Sequence, residues 1–495
     1  MLSIIVLDGS SLTLEQAQSV ALGTRIAIAP SSRKAVNSGR AVVEAIVKDG
    51  KPVYGVNTGF GYYANEGIPT AELLHLQEHI VLSHASGHGK SLSIPETRLA
   101  MTLRLNVLLK GLTGVRYQLC EALADLINHE IYPLIPEFGS VGASGDLAPL
   151  AHLALALIGK GRVMYHGKEM SASVALDKAG LKAVVLAEKE GLGLINGTQI
   201  MCSVGGLALI AGIRLVQLAD LVVALTYDAM SAKTNALKAE LHLARGQPGQ
   251  IESARVIREH LQGSYLHAAK TPHKHVQDAY SLRCAPQVHG PSRETVLFAA
   301  QTVARELNAA TDNPLVFPDG HAVAGGNFHG QSLALAFDIA SLAFSEIANI
   351  SERRLEQLLN PHRSGLAAFL TMHPGLESGY MAAQYLSASL VNEGKLLANP
   401  ACTDSIPGNV GVEDHVSMGM TSARKLRALV SHVEVVLAVE AMAAAQAVDL
   451  RKVGPLGKGS QVLYNAIRTE VPTLKKDRIV ALDVEGAVRA IRTIM

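Results

Sequence analysis

Four cysteines in 495 residues are too few for a disulfide framework, and Cys120, Cys202, Cys284 and Cys402 are widely spaced with no CxxC pair among them. A zinc ribbon lacks its ligand pairs, and a reduced, cytoplasmic compartment is the simplest reading. An excess of one charge is also missing: 44 Lys plus Arg stand against 43 Asp plus Glu. That balance, with no long basic run, leaves no electrostatic footprint for nucleic acid or an anionic membrane. The start, MLSIIVLDGSS, has no basic region and only a brief apolar run before Asp8, which makes a poor signal peptide. No long apolar stretch is uninterrupted either. Residues 204–229 contain Arg214, Gln217 and Asp220, and residues 429–448 contain Glu434 and Glu440. Both read as buried helices of a soluble protein rather than as membrane spans.

What is present is core material: hydrophobic residues make up 48% and charged residues 18%, enough for a large interior. The length allows two or three domains, or one large fold with subdivisions. Helical spacing dominates. Residues 14–20 follow Thr13 with Gln16 three positions on, in the manner of a capping box. Further helices are expected over 39–47, 98–109, 116–131, 205–227, 293–309, 331–358 and 418–449. The last two exceed the usual globular length and favour a bundle of long helices. Strand signals are short and few: 4–8, 25–29 and 162–165. The expected fold is mainly α, with a loop-rich N-terminal part over 1–200 and a long central helix bundle over 201–495. Gly, Pro and Asn concentrate in loops at 55–67, 136–145, 246–249, 320–330 and 400–411, where chemistry is commonly carried on a rigid scaffold.

One of these loops leads into the run Gly139-Ser140-Val141-Gly142-Ala143-Ser144-Gly145-Asp146. Glycine has no Cβ, so the Gly145 nitrogen can approach the Ala143 carbonyl and adopt otherwise strained angles. Attack there closes a five-membered ring. Loss of the Ser144 hydroxyl then leaves an exocyclic methylidene, an electrophile made without added cofactor. Taken alone, three residues read as a Gly-rich turn entering a helix at Leu147.

The wider context is GSVGASGDLAPLAHLALAL followed by Asn196-Gly197-Thr198-Gln199. With it come YGVNTGFG at 54–61, LSHASG at 82–87, VQDAYSLRCAPQVHG at 276–290, TDNPLVF at 311–317, GGNFHG at 325–330, SERR at 351–354 and EDHVSM at 413–418. In this order, over nearly the whole chain, these motifs resemble the aromatic amino acid ammonia-lyase and aminomutase family. The resemblance implies a mainly α fold and a homotetramer whose active sites draw loops from more than one subunit. It also implies that Ala143-Ser144-Gly145 becomes the 4-methylideneimidazole-5-one (MIO) group, with no external cofactor and no metal.

The same resemblance assigns roles. Tyr54 is the base for the β-proton; a tyrosine of ordinary pKa, about 10, is mostly protonated at neutral pH, so its site is expected to lower that value. Arg283 clamps the substrate carboxylate through its bidentate guanidinium, and Tyr280 sits close to the electrophile and assists proton transfer. Asn196 and Gln277 hydrogen-bond the ring or the carboxylate, with loop capping as the alternative. Phe328 braces the ring or merely packs the core. Ser83-His84 and Glu413 resemble the histidine-directed branch, since a carboxylate can accept from an imidazole N–H but is costly against a phenyl ring. The implied reaction is L-histidine to trans-urocanate and ammonia. Tyrosine or phenylalanine lyase or aminomutase activity is the alternative within the family, and an inactive helical scaffold the alternative outside it.

Other signals are discounted. Gly59 through Ala64 fits G-x-G-x-x-A but lacks a βαβ surround. Gly89-Lys90-Ser91 resembles the end of a phosphate-binding loop, yet His84 stands where that loop needs Gly. The pairs His273/His275 and His321/His329 have no HExxH or carboxylate triad to complete a metal site.

Overall fold

A computed structural model of the chain describes residues 4–268 and 276–494. The protein is mainly helical and divides into two units. The first comprises Met1–Leu207, Ala300–Phe337 and Pro400–Arg424; the second comprises Ala208–Ala299, Asp338–Asn399 and Lys425–Met495. The sequence suggested one division near residue 200. Instead, two later segments rich in Gly and Pro return to the first unit, and both carry loops that reach its cavity.

In the first unit, local chemistry sets the helix starts. Thr13 Oγ1 accepts from the Gln16 N–H at 3.2 Å while Gln16 Oε1 accepts from the Thr13 N–H at 3.0 Å, closing the expected capping box before Leu14–Ala21. Ser93 and Glu96 repeat the device before Ile94–Leu109, whose first turn also holds Pro95. That helix is buried from Glu96 through Leu109, so it has no amphipathic face to reveal its true start. Its Arg98 is buried yet fully satisfied, donating to the Val20, Gly23, Thr24 and Ile127 carbonyls and the Tyr132 hydroxyl. The helix expected over 116–131 runs only from Tyr117 to Asn128. Glu130 turns left-handed at φ 59°, and Ile131–Pro133 instead pairs antiparallel with Arg162–Tyr165, which pairs in turn with Lys168–Ser171. Two-stranded pairs, such as parallel Ile5–Leu7 with Ile26–Ile28, complete the strand content of the described residues.

Three helices dominate the chain: Gln199–Met230, Gln331–Leu359 and Gly419–Arg451, of 32, 29 and 33 residues. Each begins in the first unit and continues in the second. By length and composition all three could cross a membrane, but 67%, 72% and 72% of their most apolar windows are buried inside the protein. Helices apolar around most of their circumference belong inside a core.

The second unit packs Tyr227, Leu237, Ile257, Leu261 and Leu282 into one apolar cluster. Nearby, Arg354 donates to Glu440 through Nε at 2.6 Å and Nη2 at 2.8 Å, both side chains fully buried. The same carboxylate accepts from Thr226 Oγ1 at 2.7 Å and Ser351 Oγ at 2.6 Å. Removing one member strands a buried charge, so Glu440→Ala is expected to cost about 3–5 kcal/mol, read as a lowered urea midpoint. The apolar double exchange Arg354→Met/Glu440→Leu is expected to lose much less; equal midpoints for wild type and Glu440→Ala would show the pair to be energetically idle.

Candidate active site

The Ala143-Ser144-Gly145 loop lies between strand Pro136–Phe138 and helix Leu147–Leu157. Gly145 takes φ 71° and forms a parallel bridge with Gly197, and a Cβ there would come within 2.1 Å of the Gly197 carbonyl oxygen. Only glycine fits so close an approach. The next residue secures it: the Asp146 N–H donates to the Gly197 carbonyl at 2.7 Å. The Asp146 carboxylate accepts from the Ile200 and Met201 N–H groups, each at 2.9 Å, in the first turn of Gln199–Met230, and from Ser140 Oγ at 2.9 Å. Burial still pushes the Asp146 pKa up to about 7. From the other side Ser417 Oγ donates to the Gly142 carbonyl at 3.0 Å, and the Met418 N–H donates to the Val141 carbonyl at 2.9 Å.

Above this loop opens a cavity of about 650 Å³ belonging to the first unit. Of the residues singled out in the sequence, Tyr54, His84, Ala143, Ser144, Asn196, Phe328 and Glu413 line it. Ser144 Oγ donates to Glu413 Oε1 at 3.1 Å. His84 Nδ1 donates to the Ile80 carbonyl at 2.9 Å, which leaves Nε2 as an acceptor in the neutral ring. Burial lowers the His84 pKa, with the Ile80 carbonyl and the Glu413 charge partly opposing. Asn196 caps the helix Glu190–Ile195, and its amide oxygen is buried without a hydrogen-bond partner among the described residues.

One expectation is corrected. The Tyr54 site does not lower the phenol pKa; burial raises it, Glu413 and Asp312 add to the rise, and the Gly61 N–H donated to the hydroxyl at 3.4 Å opposes it too weakly. Gln277, Tyr280 and Arg283 belong to the second unit and are not among the residues that line the cavity. Tyr280 opens the short helix Tyr280–Arg283 with 71% of its surface exposed, and the Arg283 guanidinium stacks 4.5 Å from its ring centre. Arg283 Nε is buried and unpartnered among the described residues.

Sequence reasoning missed Asn409. It lies in the punctuated 400–411 loop, accepts from the Tyr62 N–H at 3.0 Å and donates to Glu413 Oε1 at 3.4 Å, linking two walls of the cavity. Its only prior signal was that loop's density of Gly and Pro. His329 and His415 also line the cavity, their rings 5.7 Å apart. His321 instead stacks on Phe317, and His273 and His275 lie outside the described residues. No group of three or more metal-ligating side chains occurs among the described residues.

The family model for aromatic amino acid lyases matches residues 12–469. The chain belongs to the aromatic amino acid lyase family. Among aromatic amino acid lyases, it is 50% identical to a histidine ammonia-lyase of Anaeromyxobacter dehalogenans strain 2CP-C over 500 residues, covering 98% of each chain. The crystal structure of a histidine ammonia-lyase from Trypanosoma cruzi superposes with a TM-score of 0.92 at 38% identity, covering 99% of this chain and 94% of that one. A tyrosine aminomutase from Streptomyces globisporus superposes with a TM-score of 0.94 at 37% identity, covering 99% and 97%. The family resemblance implies a prosthetic group formed from Ala143-Ser144-Gly145, and the residues here fit it. Gly145 occupies a backbone position closed to any side chain, and the Asn196 amide oxygen in the same cavity has no hydrogen-bond partner among the described residues.

Proposed function

We propose that this protein eliminates ammonia from L-histidine to give trans-urocanate, with MIO formed from Ala143-Ser144-Gly145 and no external cofactor. The observation carrying the substrate assignment is the Glu413 carboxylate, 3.1 Å from Ser144 Oγ in the cavity that His84 also lines. A phenyl or phenol side chain would leave that carboxylate desolvated against carbon, whereas an imidazole N–H satisfies it. When formed, MIO would supply an electron-accepting methylidene at the side-chain carbon that now carries the Ser144 hydroxyl.

The chain's own side chains do the rest. Glu413 accepts the substrate imidazole N–H and stabilises positive charge on that ring, which acidifies the neighbouring β-carbon. His84 Nε2 accepts a second ring N–H. Tyr54 removes the β-proton through its phenol oxygen, Asn196 accepts from the substrate amine, and Phe328 walls one side of the ring. The carboxylate clamp comes from assembly: in a homotetramer, Gln277, Tyr280 and Arg283 of one copy complete the cavity of another. Exposed Tyr280, together with exposed apolar Leu297, Leu342 and Leu396 on the second unit, supports such packing. Burial of the long apolar helices inside the protein supports a soluble enzyme.

The test is product absorbance from L-histidine, L-tyrosine and L-phenylalanine with wild type and Glu413→Gln. Wild type is expected to turn over L-histidine alone. Glu413→Gln is expected to lower kcat/KM for L-histidine about 10- to 100-fold, the value of one charged hydrogen bond. Exchanging Ser83-His84 for His-Leu should move preference toward tyrosine. Turnover of tyrosine by wild type would keep the family and overturn the substrate; silence with all three would favour an inactive scaffold.

A further inference from the structure

Behind the cavity floor lies a buried cluster that none of the roles above uses. Arg104, on the helix Ile94–Leu109, is fully buried, as are Lys189 and Asp312. Lys189 Nζ donates to Asp312 Oδ2 at 2.7 Å. Arg104 Nη1 donates to the Asn196 carbonyl at 2.7 Å and to Gln199 Oε1 at 2.9 Å, and Gln199 Nε2 donates onward to Thr311 Oγ1 at 2.7 Å. Arg104 Nε and Nη2 have no hydrogen-bond partner among the described residues. Burial brings its pKa down to about 10, so it remains charged at neutral pH. Only Lys189 pairs with the Asp312 carboxylate, whose Oδ1 is left without a partner among the described residues, as are the two guanidinium nitrogens of Arg104.

Burying unpaired donors and an excess charge destabilises a fold, and an apolar side chain would fill the same space at less cost. Arg98, six residues earlier on the same helix, shows how the fold treats a structural arginine: every nitrogen finds an oxygen. What sets Arg104 apart is its target. It grips the turn Asn196-Gly197-Thr198-Gln199 from beneath, and that turn presents the Gly197 carbonyl to Asp146 N and to the backbone of Gly145. A Cβ on Gly197 would lie 2.7 Å from Arg104 Nη1, so guanidinium and turn are in direct contact.

We propose that Arg104 is a positioning residue for the Ala143-Ser144-Gly145 triad: by clamping the Asn196–Gln199 turn it fixes the Gly197 surface on which the triad closes and the Asn196 amide that works above it. The proposal rests on the reading that the triad cyclises. In that step the Gly145 nitrogen bonds to the Ala143 carbonyl carbon and one water leaves. Ser144 then loses Oγ and its α-hydrogen as a second water. Misplacing the turn by about 1 Å is expected to slow such a geometry-limited step on the order of 10²-fold.

The test compares full-length wild type, Arg104→Lys, Arg104→Met and the control Arg98→Lys. It reads the mass of the peptide over 139–150, kcat and KM for L-histidine, and the melting temperature. The expected result is a ring-closed fraction below half in Arg104→Met, partly restored in Arg104→Lys, with kcat falling on the order of 10²-fold and KM changing less. Arg98→Lys should lower the melting temperature while closing its ring fully. Should Arg104→Met not fold, Arg104→Lys and Gln199→Met, which removes one of the two clamped acceptors, decide the matter by the same readouts. Full ring closure and unchanged kcat in folded Arg104 variants would overturn the positioning role alone. An unclosed triad in wild type would overturn the cyclisation itself.

Discussion

Ser144→Ala is expected to lower turnover of L-histidine by about 10³-fold or more while leaving the protein folded. Among the described residues the side chain makes one hydrogen bond, to Glu413 at 3.1 Å, and it is only partly buried. Its loss should shift stability by no more than about 1 kcal/mol. On the proposed mechanism, what disappears is the atom whose departure creates the electrophile, so substrate binding is expected to survive and elimination to fail. The check is product absorbance at saturating L-histidine alongside a melting curve. Activity within tenfold of wild type would mean that the serine is an ordinary turn residue and that ammonia leaves by another route.

Tyr54→Phe is expected to cost about 10²- to 10⁴-fold, mainly in kcat, the range for removing a positioned general base. Burial and the Glu413 carboxylate raise the phenol pKa, so below that value the basic form grows tenfold per pH unit. log kcat/KM should therefore climb with a slope near one from about pH 7 to 9 in wild type and flatten in the variant. On the acid side His84, whose pKa burial lowers, should stay neutral until below the usual histidine range of about 6.5. A flat profile in wild type, or a variant that keeps the slope, would remove Tyr54 from the proton transfer.

Much of the fold was legible because its signals are local. The Thr13–Gln16 box sits where the pattern put it, and the helix expected over 331–358 runs from Gln331 to Leu359. Where tertiary pairing competes, local signals failed: the end of the expected 116–131 helix became a strand because Arg162–Tyr165 offers it a partner. The true start of Ile94–Leu109 was hidden because a helix buried all round shows no period. In the cavity, Tyr54, His84, Ser144, Asn196, Phe328 and Glu413 meet from distant parts of the chain, which motif resemblance anticipated and spacing alone would not. Asn409 escaped notice because an amide in a loop carries no pattern until its partners Tyr62 and Glu413 are folded beside it. Gln277, Tyr280 and Arg283 were grouped with the rest from sequence; in the structure they belong to the second unit, Tyr280 and Arg283 on the short helix Tyr280–Arg283.

The most direct measurement is the mass of the peptide spanning residues 139–150 from purified wild-type protein, read against the same peptide from Ser144→Ala. The wild-type peptide should lack the mass of two waters, one for ring closure by the Gly145 nitrogen and one for the Ser144 hydroxyl. A wild-type peptide of full, unmodified mass would contradict the claim that three adjacent residues of this chain make its electrophile.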